Sequence, residues 1–211
     1  RASEIRTVNV KLRGGSPAVF AVERGTAEVD LKVSANIVNY SGAKGSVAKT
    51  GEGIMVLYGK NTYSGGTSVN GGTLAAASNQ ALGTGMATVN SGAHLALGGL
   101  GTDISSVALW NDILVKNGGI LSGSATLSGN TTLQSGSVFE LTLSMGGSAG
   151  NELAYNSLML QSGVFQIDAG AKLKLAALSL DYSTDFWGTS HILNFIEGGA
   201  NATLTGNFTL D

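Results

Sequence analysis

The sequence has no cysteine, a single proline (Pro17), and charged residues at only 12%. Without cysteine the fold does not rely on disulfides, which suits a cytosolic protein and an exported one equally. One proline excludes collagen and a Pro-rich linker. The charge content is about half that of an ordinary soluble domain. The net charge of −2 includes no basic run, which argues against a nucleic-acid partner. No apolar stretch is long enough to span a bilayer. Long segments with apolar residues at i, i+3, i+4 and i+7 are missing too, because glycine interrupts nearly every window. The opening "RASEIRTVNV" has neither an initiator methionine nor an apolar signal segment, and reads as excised from something longer.

What the chain does have is glycine, 32 residues of 211, with Ser, Thr and Asn and a 43% hydrophobic content. That is enough apolar material for one large domain with a real core. Period-2 alternation runs throughout: Val8, Val10, Leu12; Val29, Leu31, Val33; Phe139, Leu141, Leu143; Leu173, Leu175. One phrase also recurs. "VNGGTL" (Val69–Leu74), "VNSGAHLAL" (Val89–Leu97), "VKNGGIL" (Val115–Leu121), "LQSGSVFELTL" (Leu133–Leu143) and "LQSGVFQI" (Leu160–Ile167) follow one another roughly every 18 to 27 residues.

A β-sandwich has no reason to repeat a phrase. A parallel β-helix does, because each coil turns at the same corners as its neighbour, and Gly or Asn returns wherever φ must be positive. The expected fold is all-β, a parallel β-helix forming a single elongated domain over residues 1–211. It would have roughly nine or ten rungs and a height on the order of 45 Å. Residues 179–211, where aromatics concentrate, read as a modified end of the rod. Asn61, Asn70, Asn90 and Asn117 fall at corners, where asparagine ladders are expected.

The stretch "KTGEGIMVLYGKNTYSGGTSVNGGTLAAASNQALGTG" resembles the passenger-associated repeat of bacterial autotransporters, the autotransporter-associated β-strand repeat. The resemblance covers residues 49–85. It rests on Lys49, Gly51 and Gly53; the strand pair Met55 and Leu57; Asn61, Tyr63, Gly65, Gly66 and Thr67; Gly71, Gly72 and Leu74; and Leu82 with Gly83. Met55 stands where the family has leucine, a volume-conserving change. The resemblance implies a right-handed β-helical passenger segment, exported across the outer membrane to the bacterial cell surface. It also implies two partners, the outer-membrane barrel of its own precursor and the export machinery.

Candidates for chemistry are few. "GGSAG" around Ser148 fits Gly-x-Ser-x-Gly, with Asp181 or Asp185 and then His191 in hydrolase order, but no helix follows to build a nucleophile elbow. "GGLGTD" ending at Asp103 matches one calcium nonapeptide, a motif that works only in tandem and wants a large apolar residue where Ser105 stands. Two histidines, His94 and His191, offer no zinc spacing, and His94 alternates with Leu95 and Leu97 as a solvated outward residue. Asp181, Tyr182, Asp185, Phe186 and Trp187 form an acid-plus-aromatic cluster suited to gripping a sugar ring or capping the rod.

No catalytic residue, metal or cofactor is therefore expected. The reading is a structural, export-promoting segment serving as an adhesin stalk. Its alternatives are a glycan-binding or glycan-cleaving module, contacting a surface glycan or host protein, and a self-associating adhesin.

Overall fold

The computed structural model describes residues 2–100, 106–146, 152–179 and 193–210, and every regular element among them is a strand. The chain winds in coils. The first carries β1 (Ser3–Ile5), β2 (Asn9–Leu12) and β3 (Ala18–Ala21), and the second β4 (Leu31–Val33), β5 (Asn36–Asn39) and β6 (Val47–Thr50). The third has β7 (Ile54–Leu57) and β8 (Thr67–Val69); the fourth has β9 (Gly72–Ala76) and β10 (Ala87–Val89). The fifth adds β11 (Ala93–Leu97), β12 (Val107–Leu109) and β13 (Ile113–Val115), and the sixth β14 (Ile120–Gly123), β15 (Ala125–Leu127) and β16 (Thr131–Leu133). The seventh holds β17 (Val138–Gly146), β18 (Glu152–Tyr155) and β19 (Leu158–Ile167). The eighth has β20 (Lys172–Ser179) and β21 (Ile196–Thr205), and β22 (Thr209–Leu210) opens the ninth.

Strands at the same place in each coil pair in parallel. One face stacks β1, β4, β7, β9, β11, β14, β17, β20 and β22. The return face stacks β3, β6, β8, β10, β13 and β16, followed by β19, which also pairs with β21. Between them lies a middle face with β2 on β5 at one end and β12 on β15 further along. The ten-residue β19 runs across two faces, its first half on β15 and its second on β16. Among the described strands only β18 departs, folding back antiparallel on β17. This is the parallel β-helix that the repeated phrase predicts.

Register puts like on like. Leu31, Met55, Leu74, Leu95, Leu121, Phe139 and Leu173 form one continuous inward column on the first face. Val69, Val89, Val115, Leu133 and Ile167 form another on the return face. Nearly all are inaccessible to solvent, and each such side chain contributes about 1.5–3 kcal/mol by leaving water. At the far end Phe139 stacks on Phe195 and Phe208, with ring centroids 5.8 and 6.0 Å away.

Three readings of the pattern are corrected. Coil length is not confined to 18–27 residues: Leu121 to Phe139 is 18, but Phe139 to Leu173 is 34 and Leu173 to Leu210 is 37. The long coils carry extra chain between their faces, where a repeated phrase leaves no signature. Val8 lies outside β2 and is 78% exposed. Leu175 keeps the expected register, pairing with the buried Leu141, but is itself 55% exposed rather than buried.

Candidate functional site

The residues singled out in the repeat gather at the corners of coils two to four. Lys49 shares the inward parity of Val47 in β6, and register places it between Phe20 and Val69. Its side chain is fully buried. The ammonium donates to the carbonyl oxygens of Gly51 (2.5 Å) in its own corner and of Gly71 (2.8 Å) in the next. Burial pushes the Lys49 ammonium below the ordinary lysine range, while Glu52, Glu23 and Asp30 oppose that shift by their charge. A Cβ on Gly72 would stand 2.6 Å from Nζ, so glycine there is the space the ammonium occupies. Gly53 and Gly65 are equally tight against the preceding coil's backbone, and Gly51 and Gly66 turn with positive φ.

On the middle face of coils three and four no strand forms. Asn61, also fully buried, supplies the ladder with its side chain: Oδ1 accepts the Ile37 N–H (2.7 Å) and Nδ2 donates to Ala81 O (2.5 Å). Each of these pairings would otherwise leave a dry backbone group, at about 1–3 kcal/mol apiece. Asn111 repeats the device two coils on, donating to Gly83 O and Gly85 O of the coil before it. Asn156 does so further along, with Thr142, Gly123 and Glu140. At an outer corner Asn90 Nδ2 donates to Asn70 Oδ1 (2.7 Å), an asparagine ladder of the kind the sequence suggests.

Tyr63 lies flat beneath the next coil. Its hydroxyl is 2.5 Å from Thr67 Oγ1, which donates in turn to Leu82 O (3.0 Å). Burial pushes its phenol well above the ordinary tyrosine range. Gly83, with φ +68°, covers the ring: a Cβ there would meet Tyr63 O at 2.4 Å. Met55, Leu57, Leu74 and Leu82 are buried around it. Every motif residue named here is thus occupied with stacking one coil on another.

Among the surface grooves lined by described residues, two carry polar side chains beside a histidine or a tryptophan. One, about 150 Å³, is lined by His94, Leu97, Leu100, Ser122, Glu140 and Asn156, among others. His94 does face outward, but it is not solvated: it is half-buried, with Nε2 2.7 Å from Ser122 Oγ. The outer face here is partly dry, because Val56, Ala75 and Ala96 form a second apolar strip over which Leu100 and Ile54 pack. Burial holds the His94 imidazole below the usual histidine range, with Lys174 reinforcing and Glu140 opposing. The second groove, about 260 Å³, lies beside the exposed Trp110, a residue the alternation pattern did not single out. Among the described residues no cluster of three or more His, Cys, Asp or Glu could hold a metal. Asp103, Ser105, Ser148, Asp181, Tyr182, Asp185, Phe186, Trp187 and His191 lie outside the described residues.

Fold and corners define the class: a parallel β-helical solenoid whose recurring residues serve inter-coil packing. Comparison with known families then finds the passenger-associated transport repeat at residues 47–76. The chain thus carries an autotransporter passenger-associated transport repeat. It is 31% identical over 169 residues, 78% of its length, to the adhesin BmaC autotransporter of Brucella suis biovar 1 (strain 1330). The aligned part is only 4% of that much longer protein. No solved structure matches the chain significantly.

Proposed function

We propose that this chain is a structural, non-enzymatic stretch of the passenger of a surface adhesin, and that its repeat promotes export and folding. The observation behind this reading is that corner side chains bond between coils. Lys49 reaches forward to Gly71, Asn61 to Ala81 and Thr67 to Leu82, while Asn111 reaches back to Gly83 and Gly85, so neighbouring coils complete one another's hydrogen bonds. A solenoid of this kind grows by nearest-neighbour docking, and each new coil finishes the one before it. Such growth suits a chain that emerges unfolded through an outer membrane and folds outside. Its partners in this reading are the barrel of its own precursor and the export machinery, and its location is the cell surface.

The test is a fusion of residues 1–211 to an outer-membrane barrel translocator in a Gram-negative host. Surface display is read by sensitivity to external protease and by antibody binding to intact cells. Removing residues 47–76 should reduce display several-fold while leaving barrel insertion unchanged. Equal display with and without the repeat would refute the export role.

A further inference from the structure

We propose that the groove beside Trp110 is a carbohydrate-binding subsite that takes pyranose rings of an oligosaccharide. Five residues from three successive coils line it: Lys60 from the third, Ser78, Asn79 and Gln80 from the fourth, and Trp110 from the fifth. The indole of Trp110 is 62% exposed, the largest side chain among the exposed apolar groups of the described residues. An exposed indole flanked by amide and ammonium groups is the chemistry that recognises sugars. The ring face packs on the axial C–H groups of a pyranose, while neighbouring donors and acceptors take its hydroxyls.

The walls are fixed in advance by hydrogen bonds to the backbone. Gln80 is anchored through its backbone carbonyl, which accepts the N–H of the buried Asn61 (3.0 Å), so its side-chain amide stays at the surface. Asn79 Oδ1 accepts the Ala108 N–H (3.0 Å), which ties the fourth-coil turn to the strand that leads into Trp110. Lys60 is held by its own N–H donating to Asn36 Oδ1 (2.9 Å), which leaves the ammonium at the rim. Ser78 Oγ donates to Gly59 O (2.9 Å). Immediately after Trp110, Asn111 is clamped to Gly83 O and Gly85 O, so the indole stands on a rigid base. Little ordering is left for binding to cost, which is how small polar sites reach useful affinity.

The dimensions also fit. Three stacked coils at the spacing of paired strands span about 10 Å between the outer two, the scale of a disaccharide laid along the rod. Lys60 at one end favours a glycan with a carboxylate over a neutral one.

The inference does not depend on export, since it is read on the purified chain. In a Trp187→Phe background, Trp110 is the one tryptophan of two that remains. Cellotriose, chitotriose, maltotriose and sialyllactose are titrated against it, with indole fluorescence and the Nε1–H resonance as readouts. The expected result is saturable binding of at least one of them in the micromolar-to-millimolar range. Trp110→Ala should weaken it about tenfold or more at an unchanged melting temperature, and Gln80→Ala should weaken it less. Lys60→Ala should weaken sialyllactose selectively. Absence of any response, undiminished binding by Trp110→Ala, or a Trp110-dependent shift in sedimentation showing that the indole joins two copies would each overturn the proposal. Failure of the display experiment leaves this binding test untouched.

Discussion

Lys49 Nζ lies 2.8 Å from the carbonyl oxygen of Gly71, so a charged side chain rooted in the second coil is anchored on the corner that begins the fourth. Its hydrocarbon stem fills the apolar column and its ammonium ties two corners together. Replacing it with methionine keeps the stem but leaves two corner carbonyls without that donor, and Lys49→Met should cost about 1–3 kcal/mol at neutral pH. Burial lowers the folded-state affinity of this amine for its proton. Between that lowered value and the ordinary lysine value of 10.5, the unfolded chain binds more protons, so the Lys49 contribution makes stability rise with pH. Urea titrations of parent and variant across this window should show the difference between them widening towards alkaline pH. A constant difference would mean the amine is not desolvated.

The facing of the strands is tested by a pair. Leu57 is buried in the inward column, aligned with Val33 and Ala76, whereas Ser68 in β8 points away from it. Leu57→Asp should destabilise by about 4 kcal/mol or more, because a carboxylate is trapped without a partner. Ser68→Asp should stay within about 0.5 kcal/mol. Equal melting of the two variants would contradict the assigned facing.

Gly83 and Gly92 both have positive φ, +68° and +76°, but only Gly83 is covered by another coil. Gly92→Ala meets nothing within 4 Å and should cost about 1 kcal/mol of backbone strain alone. Gly83→Ala adds a collision with Tyr63 and should cost at least twice as much. Thermal melts of the two variants decide, and the tyrosine near-ultraviolet circular dichroism should weaken only for Gly83→Ala.

His94 predicts an acid sensitivity. Its folded-state pKa lies below the ordinary histidine value of 6.5, so the unfolded chain binds more protons just under that pH, and stability falls as pH drops through the window. Glu140 and Lys174 face the ring across the outer surface, and Lys172 belongs to the same outward column as His94. His94→Gln should flatten the dependence between about pH 5 and 7, and the imidazole resonances of the parent should titrate below the free-histidine value. A titration at or above that value would sink this prediction.

Much of this architecture is legible in the sequence because a β-helix repeats its constraints. Met55, Leu57 and Leu74 alternate where they must face in, and Asn70 and Asn90 return at the same corner and bond to each other. Lys49 was readable as part of a motif but not as a core residue. Its parity with Val47 was the available signal, and a positive charge hid it. The outer strip of Val56, Ala75 and Ala96 escaped because each sits between inward apolar residues, so the alternation assigns it to solvent. Asn61 shows a different limit: a side chain that substitutes for a strand leaves no strand pattern to find. Coil length could not be read past Phe139, since added chain between faces breaks the phrase without breaking the stack.

The coil circumference grows from 18 residues to 37 while the first-face register from Leu121 through Phe139 to Leu173 and Leu210 runs on. The stack therefore keeps its register across coils of very different length. A rod with this tolerance is a ready scaffold for diversification: foreign loops can be spliced into its flanks, or shuffled between neighbouring coils, without renegotiating the packing above and below.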